Sequence, residues 1–117
     1  MTITERTVGD VIILDVQGNL TLGESADRLR DKVRSLLQQG QRRFLVNLAS
    51  VPYMDSAGLG ELVQTFATTT KQGGSLKLLH LTTRLHDLLV ITKLTNVFDC
   101  FDDESQAVET FGVAVSA

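Results

Sequence analysis

Apolar and polar positions along this chain change period several times, and each change marks an element. Residues 3–7 read as a short strand, and Gly9-Asp10 supplies a turn before a nearly unbroken apolar run over 11–16. Such a run predicts a strand covered on both faces. Its closeness to 3–7 predicts an antiparallel hairpin with the first strand at a sheet edge. Beyond Gly18 the period lengthens: Ala26, Leu29, Val33, Leu36 and Leu37 mark one face of an amphipathic helix, with Gly40 at its C-terminal end. Ahead of that stripe, Thr21-Leu22-Gly23-Glu24 matches a capping box, the hydroxyl at the N-cap and the carboxylate three residues on. Residues 44–48, apolar except for Asn47, predict the next strand. Leu59, Leu62, Val63, Phe66 and Ala67 form a second helical stripe, ended by Gly73-Gly74. Residues 76–81 predict a third internal strand, and Thr82 or Thr83 a cap for a third helix carrying Leu85, Leu88 and Leu89. A last strand is expected over 97–101. Asp103 with Gln106 then resembles a capping box leading into Ala107, Val108 and Phe111.

The order β-β-α-β-α-β-α-β-α predicts an α/β fold: a mixed, mostly parallel sheet, an antiparallel N-terminal edge strand and about four packed helices. No internal repeat, low-complexity segment or linker interrupts it, so residues 1–117 read as one domain. Right-handed crossovers would leave strands 11–17, 43–48 and 76–81 parallel. Loops 18–24, 49–56 and 81–84 then share the carboxyl edge, where open α/β sheets place their sites. Thr21, Ser56 and Thr82 become expected neighbours.

Composition narrows the function classes. At 117 residues, 43% of them hydrophobic and 21% charged, the chain is of the soluble globular class and can bury roughly 65% of its unfolded surface without a staple. Cys100 is the one cysteine, which excludes an internal disulfide and fits a reducing, cytoplasmic setting. No apolar run approaches the ~20 residues of a membrane span, and no signal-peptide pattern opens the chain. The net charge is −3, and the basic residues Arg28, Arg30, Lys32 and Arg34 are mixed with acids. That pattern argues against a nucleic-acid partner, which needs a basic face. No cofactor is indicated.

The candidate chemistry lies in Tyr53-Met54-Asp55-Ser56-Ala57-Gly58-Leu59-Gly60, where a strand pattern gives way to a helical one. A nucleophile elbow requires glycine at Met54, a dinucleotide fingerprint requires glycine at Val63, and the Gly-Lys-Ser/Thr end of a phosphate-binding loop is missing. His80 and His86 lack metal-ligand spacing and have no evident route to Ser56 as a base. They read as a strand-end and a solvated helix histidine, and Cys100 as a small core residue. Catalysis is therefore not expected. Asp55 or Ser56 suits a helix N-cap, and the same place suits an added anion. Gly58 and Gly60 each cost a helix roughly 1 kcal/mol relative to alanine, so both predict a close approach by a neighbour. From the residues alone, capping and a functional role for Ser56 both stand.

Asn47-Leu48, Val51, the Met54-Asp55-Ser56-Ala57-Gly58-Leu59-Gly60 core and Gly73-Gly74 before a strand together resemble the STAS domain, above all the bacterial anti-sigma factor antagonists. The resemblance runs from Gly9-Asp10 to the helix after Asp103. It implies that Ser56 is the phosphoacceptor of an anti-sigma factor that is also a serine kinase with an ATPase fold. Thr21, Met54, Asp55, Ser56, Ala57, Gly58, Leu59 and Gly60 are the implied partner-binding positions. In the family, the unphosphorylated antagonist binds the kinase and frees its sigma factor, phosphorylation breaks the complex, and a PP2C-type phosphatase restores it. Gly18-Asn19-Leu20-Thr21 departs from the family's Gly-acidic-Leu-Asp context, keeping a capping hydroxyl but dropping a charge. Ala57 leaves Ser56 the only hydroxyl of the core motif. Two other readings fit the same residues: a STAS module in another partner-switching or sensory complex, and a nucleotide- or anion-binding domain that is not phosphorylated.

Overall fold

Alternation along the second strand sets the layers. In β2 (Val11–Gln17) Ile12, Leu14 and Val16 point to one face and Val11 and Ile13 to the other, and all five are buried. A strand buried on both sides needs helices on both sides. The computed structural model describes residues 1–112. It places β1 (Thr2–Val8), β2, β3 (Arg43–Ser50), β4 (Ser75–Leu79) and β5 (Cys100–Phe101) in one sheet in that spatial order. Only β1 runs antiparallel to its neighbour, so the mixed, mostly parallel sheet expected from the pattern is the one observed.

Helices α1 (Glu24–Gln38), α2 (Ser56–Lys71) and α3 (Thr83–Ile91) cover the face built on Leu14, Phe44, Val46 and Leu78. All five residues of the first predicted stripe are buried there. Helix α4 (Glu104–Gly112) covers the other face with Ala107 and Phe111 over Ile13, Leu45 and Leu79. Its start is held by Asp103, whose Oδ1 accepts from the Gln106 amide at 3.0 Å. Beside it, Arg6 donates to both Asp15 and Glu104, and Asn47 donates to Asp15 at 2.8 Å. This cluster ties β1, β2, β3 and α4 together. Among the described residues no helix is long and apolar enough to cross a membrane.

Several expectations change. The α2 stripe is shifted: Ala67 is exposed, while Thr65 and Thr69 are buried. Each threonine hydroxyl donates to the carbonyl four residues back at 2.8 Å, so these polar side chains enter the core with no unmet donor. The fourth strand stops at Leu79 because His80 takes a left-handed turn, φ 57°. The last strand is two residues long rather than 97–101: Phe98 turns into the core, and pairing is limited to Leu78 with Cys100 and Leu79 with Phe101. On this short edge strand Cys100 is exposed, not a core residue. His86 is exposed on α3, as its position suggested.

Candidate functional site

The parallel strands β2 and β3 do not end cleanly at the carboxyl edge. Their pairing continues as a zipper between the two loops beyond them. The Gly18 amide donates to Ser50 O (2.9 Å), Leu20 to Tyr53 O (3.0 Å) and Asp55 to Leu20 O (3.3 Å), with a parallel bridge between Leu20 and Met54. Leu20, Val51 and Met54 are buried beneath it. The chain then enters α2 directly from the zipper.

Asp55 is the N-cap of that helix. Its Oδ1 accepts from the Gly58 amide at 2.7 Å, while Oδ2 accepts from the Leu22 amide at 3.0 Å. One carboxylate thus caps α2 and fastens the loop that leads into α1. The Leu22 and then the Gly58 amide hold the Asp55 carboxyl below the usual carboxylate range, because both bonds favour its charged form.

Gly58 is where the two loops come closest. A Cβ built there would stand 2.0 Å from Leu20 O and 2.7 Å from Leu20 C, so no side chain fits without moving backbone. The expected close approach is therefore real at Gly58 and comes from the protein's own chain. At Gly60 nothing lies within 4 Å, and the close approach expected there does not occur. Gly60 is exposed, and Leu59 beside it is buried against the core.

Ser56 is the first residue of α2 and is exposed; Ala57 is half-buried. Because Asp55 does the capping, the Ser56 hydroxyl takes no part in a hydrogen bond among the described residues. The backbone amides of the first helical turn lie beside it, and those ahead of Gly58 have no carbonyl partner within the helix. The arrangement offers a free hydroxyl at the positive end of a sixteen-residue helix.

Thr21 does not cap α1. That helix begins at Glu24 with Gly23 as N-cap, at φ 96° and without a side-chain cap, so the predicted capping box is not formed. The zipper explains the failure. Leu20 and Leu22 on either side of Thr21 are pinned to Tyr53 and Asp55, which holds this stretch to the loop ahead of the helix. The Ser25 hydroxyl instead accepts from the Thr21 amide (2.8 Å) and donates to its carbonyl (3.0 Å).

The three loops share the carboxyl edge, but the three hydroxyl residues do not share a cavity. A groove of about 680 Å³ takes its walls from Tyr53, Asp55 and Ser56 on one side and Arg84, Asp87 and Ile91 of α3 on the other. Thr21 faces a separate hollow of about 440 Å³ beside α1. Thr82 serves as the N-cap of α3, accepting from the Leu85 amide at 3.2 Å. The α3 wall was missed in the sequence. Its one signal was Ile91, an aliphatic residue beyond the Leu85-Leu88-Leu89 stripe, which is 77% exposed. Tyr53 across the groove is 43% exposed, and the Arg84 guanidinium carbon lies 5.9 Å from its ring centre.

Comparison with known proteins bears on the fold and the family. The STAS domain family model matches residues 2–107. Over 89 residues the chain is 46% identical to the anti-sigma-B factor antagonist of Bacillus subtilis (strain 168), covering 73% of this chain and 80% of that protein. A crystal structure from Thermotoga maritima, described provisionally as an anti-sigma factor antagonist, superposes with a TM-score of 0.86 at 25% identity over 93% of each chain. The Bacillus cell fate determinant SpoIIAA in its phosphorylated form superposes with a TM-score of 0.73, covering 93% of this chain and 98% of that one. At 17% identity that likeness concerns the fold alone. With the family model spanning nearly the whole sheet and its helices, and a curated relative close to half identical, the chain belongs to the STAS-domain family of anti-sigma factor antagonists.

Proposed function

We propose that this protein is an anti-sigma factor antagonist switched by phosphorylation of Ser56. In its unphosphorylated form it binds an anti-sigma factor that is also an ATP-dependent serine kinase, and the bound sigma factor is released. Phosphate on Ser56 ends that binding, and a PP2C-type phosphatase restores it. The observation that carries this reading is the division of labour at the start of α2. Asp55 satisfies the helix end, so the exposed Ser56 hydroxyl is free for chemistry.

The physical logic supports a switch that acts on recognition rather than on folding. A phosphate adds about −1.5 to −2 charge. At the first position of α2 that charge meets the positive helix end, which favours it. A partner surface fitted to a neutral serine beside Asp55 meets instead a concentrated negative charge. A penalty of only ~1.4 kcal/mol shifts a binding equilibrium tenfold. SpoIIAA, a protein of the same fold, has been solved both phosphorylated and unphosphorylated. That observation belongs to SpoIIAA and bears here only on the fold's tolerance of a phosphorylated form. The recognition surface in this reading is the zippered edge: Thr21, Met54, Asp55, Ser56, Ala57, Gly58, Leu59 and Gly60, of which Met54, Gly58 and Leu59 are buried and act by shaping it. Thr21, where the family's well-known members carry an aspartate, bears on which kinase is recognised.

The test is affinity capture from the source cell with wild-type and Ser56→Asp protein as baits. An ATPase-fold kinase retained by the wild type and lost with Ser56→Asp is the expected result. Equal retention by both baits, with both folded, contradicts the switch.

A further inference from the structure

We infer that Arg84 of α3 is the intramolecular partner of a phosphate on Ser56, closing the groove between α2 and α3 in the modified protein. This rests on the reading of Ser56 as the phosphoacceptor and adds to it a device in the chain's own fold. Arg84 and Ser56 face the same groove, and Arg84 is the one cation among its lining residues. The other charged groups there are Asp55 at the α2 cap and Asp87 on α3. His86 lies outside the lining, exposed on α3.

Two features leave Arg84 uncommitted before modification. Among the described residues it forms no ion pair, although two carboxylates line its groove; Asp55 already accepts from two backbone amides. Its guanidinium rests instead over the exposed Tyr53 ring at 5.9 Å, near the outer limit of a cation–π contact and weak at such exposure. Phosphorylation changes the balance. The groove then carries a dianion beside two carboxylates, with a single guanidinium to offset them. A planar guanidinium fork matches phosphate oxygens in a bidentate, charge-assisted pair, which outcompetes a long contact to a phenol ring. As Arg84 leaves Tyr53 for the phosphate, it bridges the mouth of the groove. Partner binding is then opposed by an occupied groove as well as by charge.

The experiment installs phosphoserine at position 56 during synthesis and follows its second ionisation by 31P NMR. Arg84→Gln and Arg84→Lys are measured against wild type, and Arg28→Gln serves as a control for a cation that lines the other hollow. Arg84→Gln is expected to reduce the phosphate's proton-dissociation constant about two- to fivefold, the span of an exposed ion pair. Arg84→Lys restores part of it, and Arg28→Gln has no effect. Superposable titrations for wild type and Arg84→Gln overturn the pairing, as does an equal shift from Arg28→Gln, which would mark only general charge. Because the phosphoserine is supplied in synthesis, this result stands apart from whether any kinase acts on Ser56. That separate question is read from ATP labelling of the unmodified chain.

Discussion

Replacing Gly58 with alanine tests how the switch region is assembled. By helix propensity alone the change stabilises α2 by roughly 1 kcal/mol. The new methyl, however, falls 2.0 Å from Leu20 O and 2.7 Å from Leu20 C, and both are backbone atoms rather than the yielding end of a side chain. Relief requires the two loops to part by more than an ångström. Overpacking of this kind costs about 1–3 kcal/mol. Parting also weakens, without breaking, the Leu20–Tyr53, Asp55–Leu20 and Leu22–Asp55 hydrogen bonds, a further loss of about 2 kcal/mol in all. With the propensity gain set against these, the net loss is about 2–4 kcal/mol. A domain of this length loses about 4 °C of Tm per kcal/mol, so the midpoint falls by about 8–16 °C. Gly60→Ala is the internal control. It adds the same methyl to the same helix where nothing lies within 4 Å, so Tm rises by about 3–4 °C. Paired thermal melts of the two variants decide the matter. If Gly58→Ala is as stable as wild type, or gains as Gly60→Ala does, the proposed jamming of α2 against Leu20 is wrong.

Further expectations follow from the charged groups. The Asp55 carboxyl is held below its ordinary range by the Leu22 and Gly58 amides, so its contribution is full above the unfolded carboxylate pKa and is lost as pH falls through the folded value. Asp55→Asn should therefore flatten the acid limb of a stability–pH profile below about pH 4 and leave its neutral limb parallel to wild type. An unchanged acid limb would show that the cap carries no linkage. Asp15 is likewise depressed, chiefly by Arg6 and then by Asn47. Its side chain is partly exposed, and screening limits the pair to about 1 kcal/mol, so Asp15→Asn should lower Tm by about 4 °C at neutral pH with little difference near pH 2. A drop that persists undiminished at pH 2 would point to packing instead.

The sheet was legible in the sequence because its signals are strong and redundant. A strand buried on both faces is apolar throughout, and Ile12, Leu14 and Val16 alternate with Val11 and Ile13 for that reason. The α1 stripe and the Asp103 cap were legible too, since each depends on contacts within a few residues. Features set by contacts distant in sequence were not. Thr21 carried the local signature of a capping box, yet the ladder from Leu20 to Tyr53 overrode it, and α1 starts later at Gly23-Glu24. Gly58 and Gly60 look alike in the sequence, and only the approach of Leu20 separates them. Thr65 and Thr69 read as polar positions, because their bonds to carbonyls one turn back become visible only once the helix is oriented. At the site, Asp55 and Ser56 were both eligible as the cap. The backbone assigns that role to Asp55, and so leaves the serine hydroxyl unoccupied.

The account turns on that hydroxyl. Its most direct test is to incubate the protein with ATP and the kinase recovered by affinity capture, then map the modified residue by mass spectrometry. Stoichiometric addition of one phosphate at Ser56, absent in Ser56→Ala, with at least about tenfold weaker kinase binding by the product, is the predicted result. Phosphate placed on another residue, or a phosphorylated protein that binds as tightly as before, would contradict it.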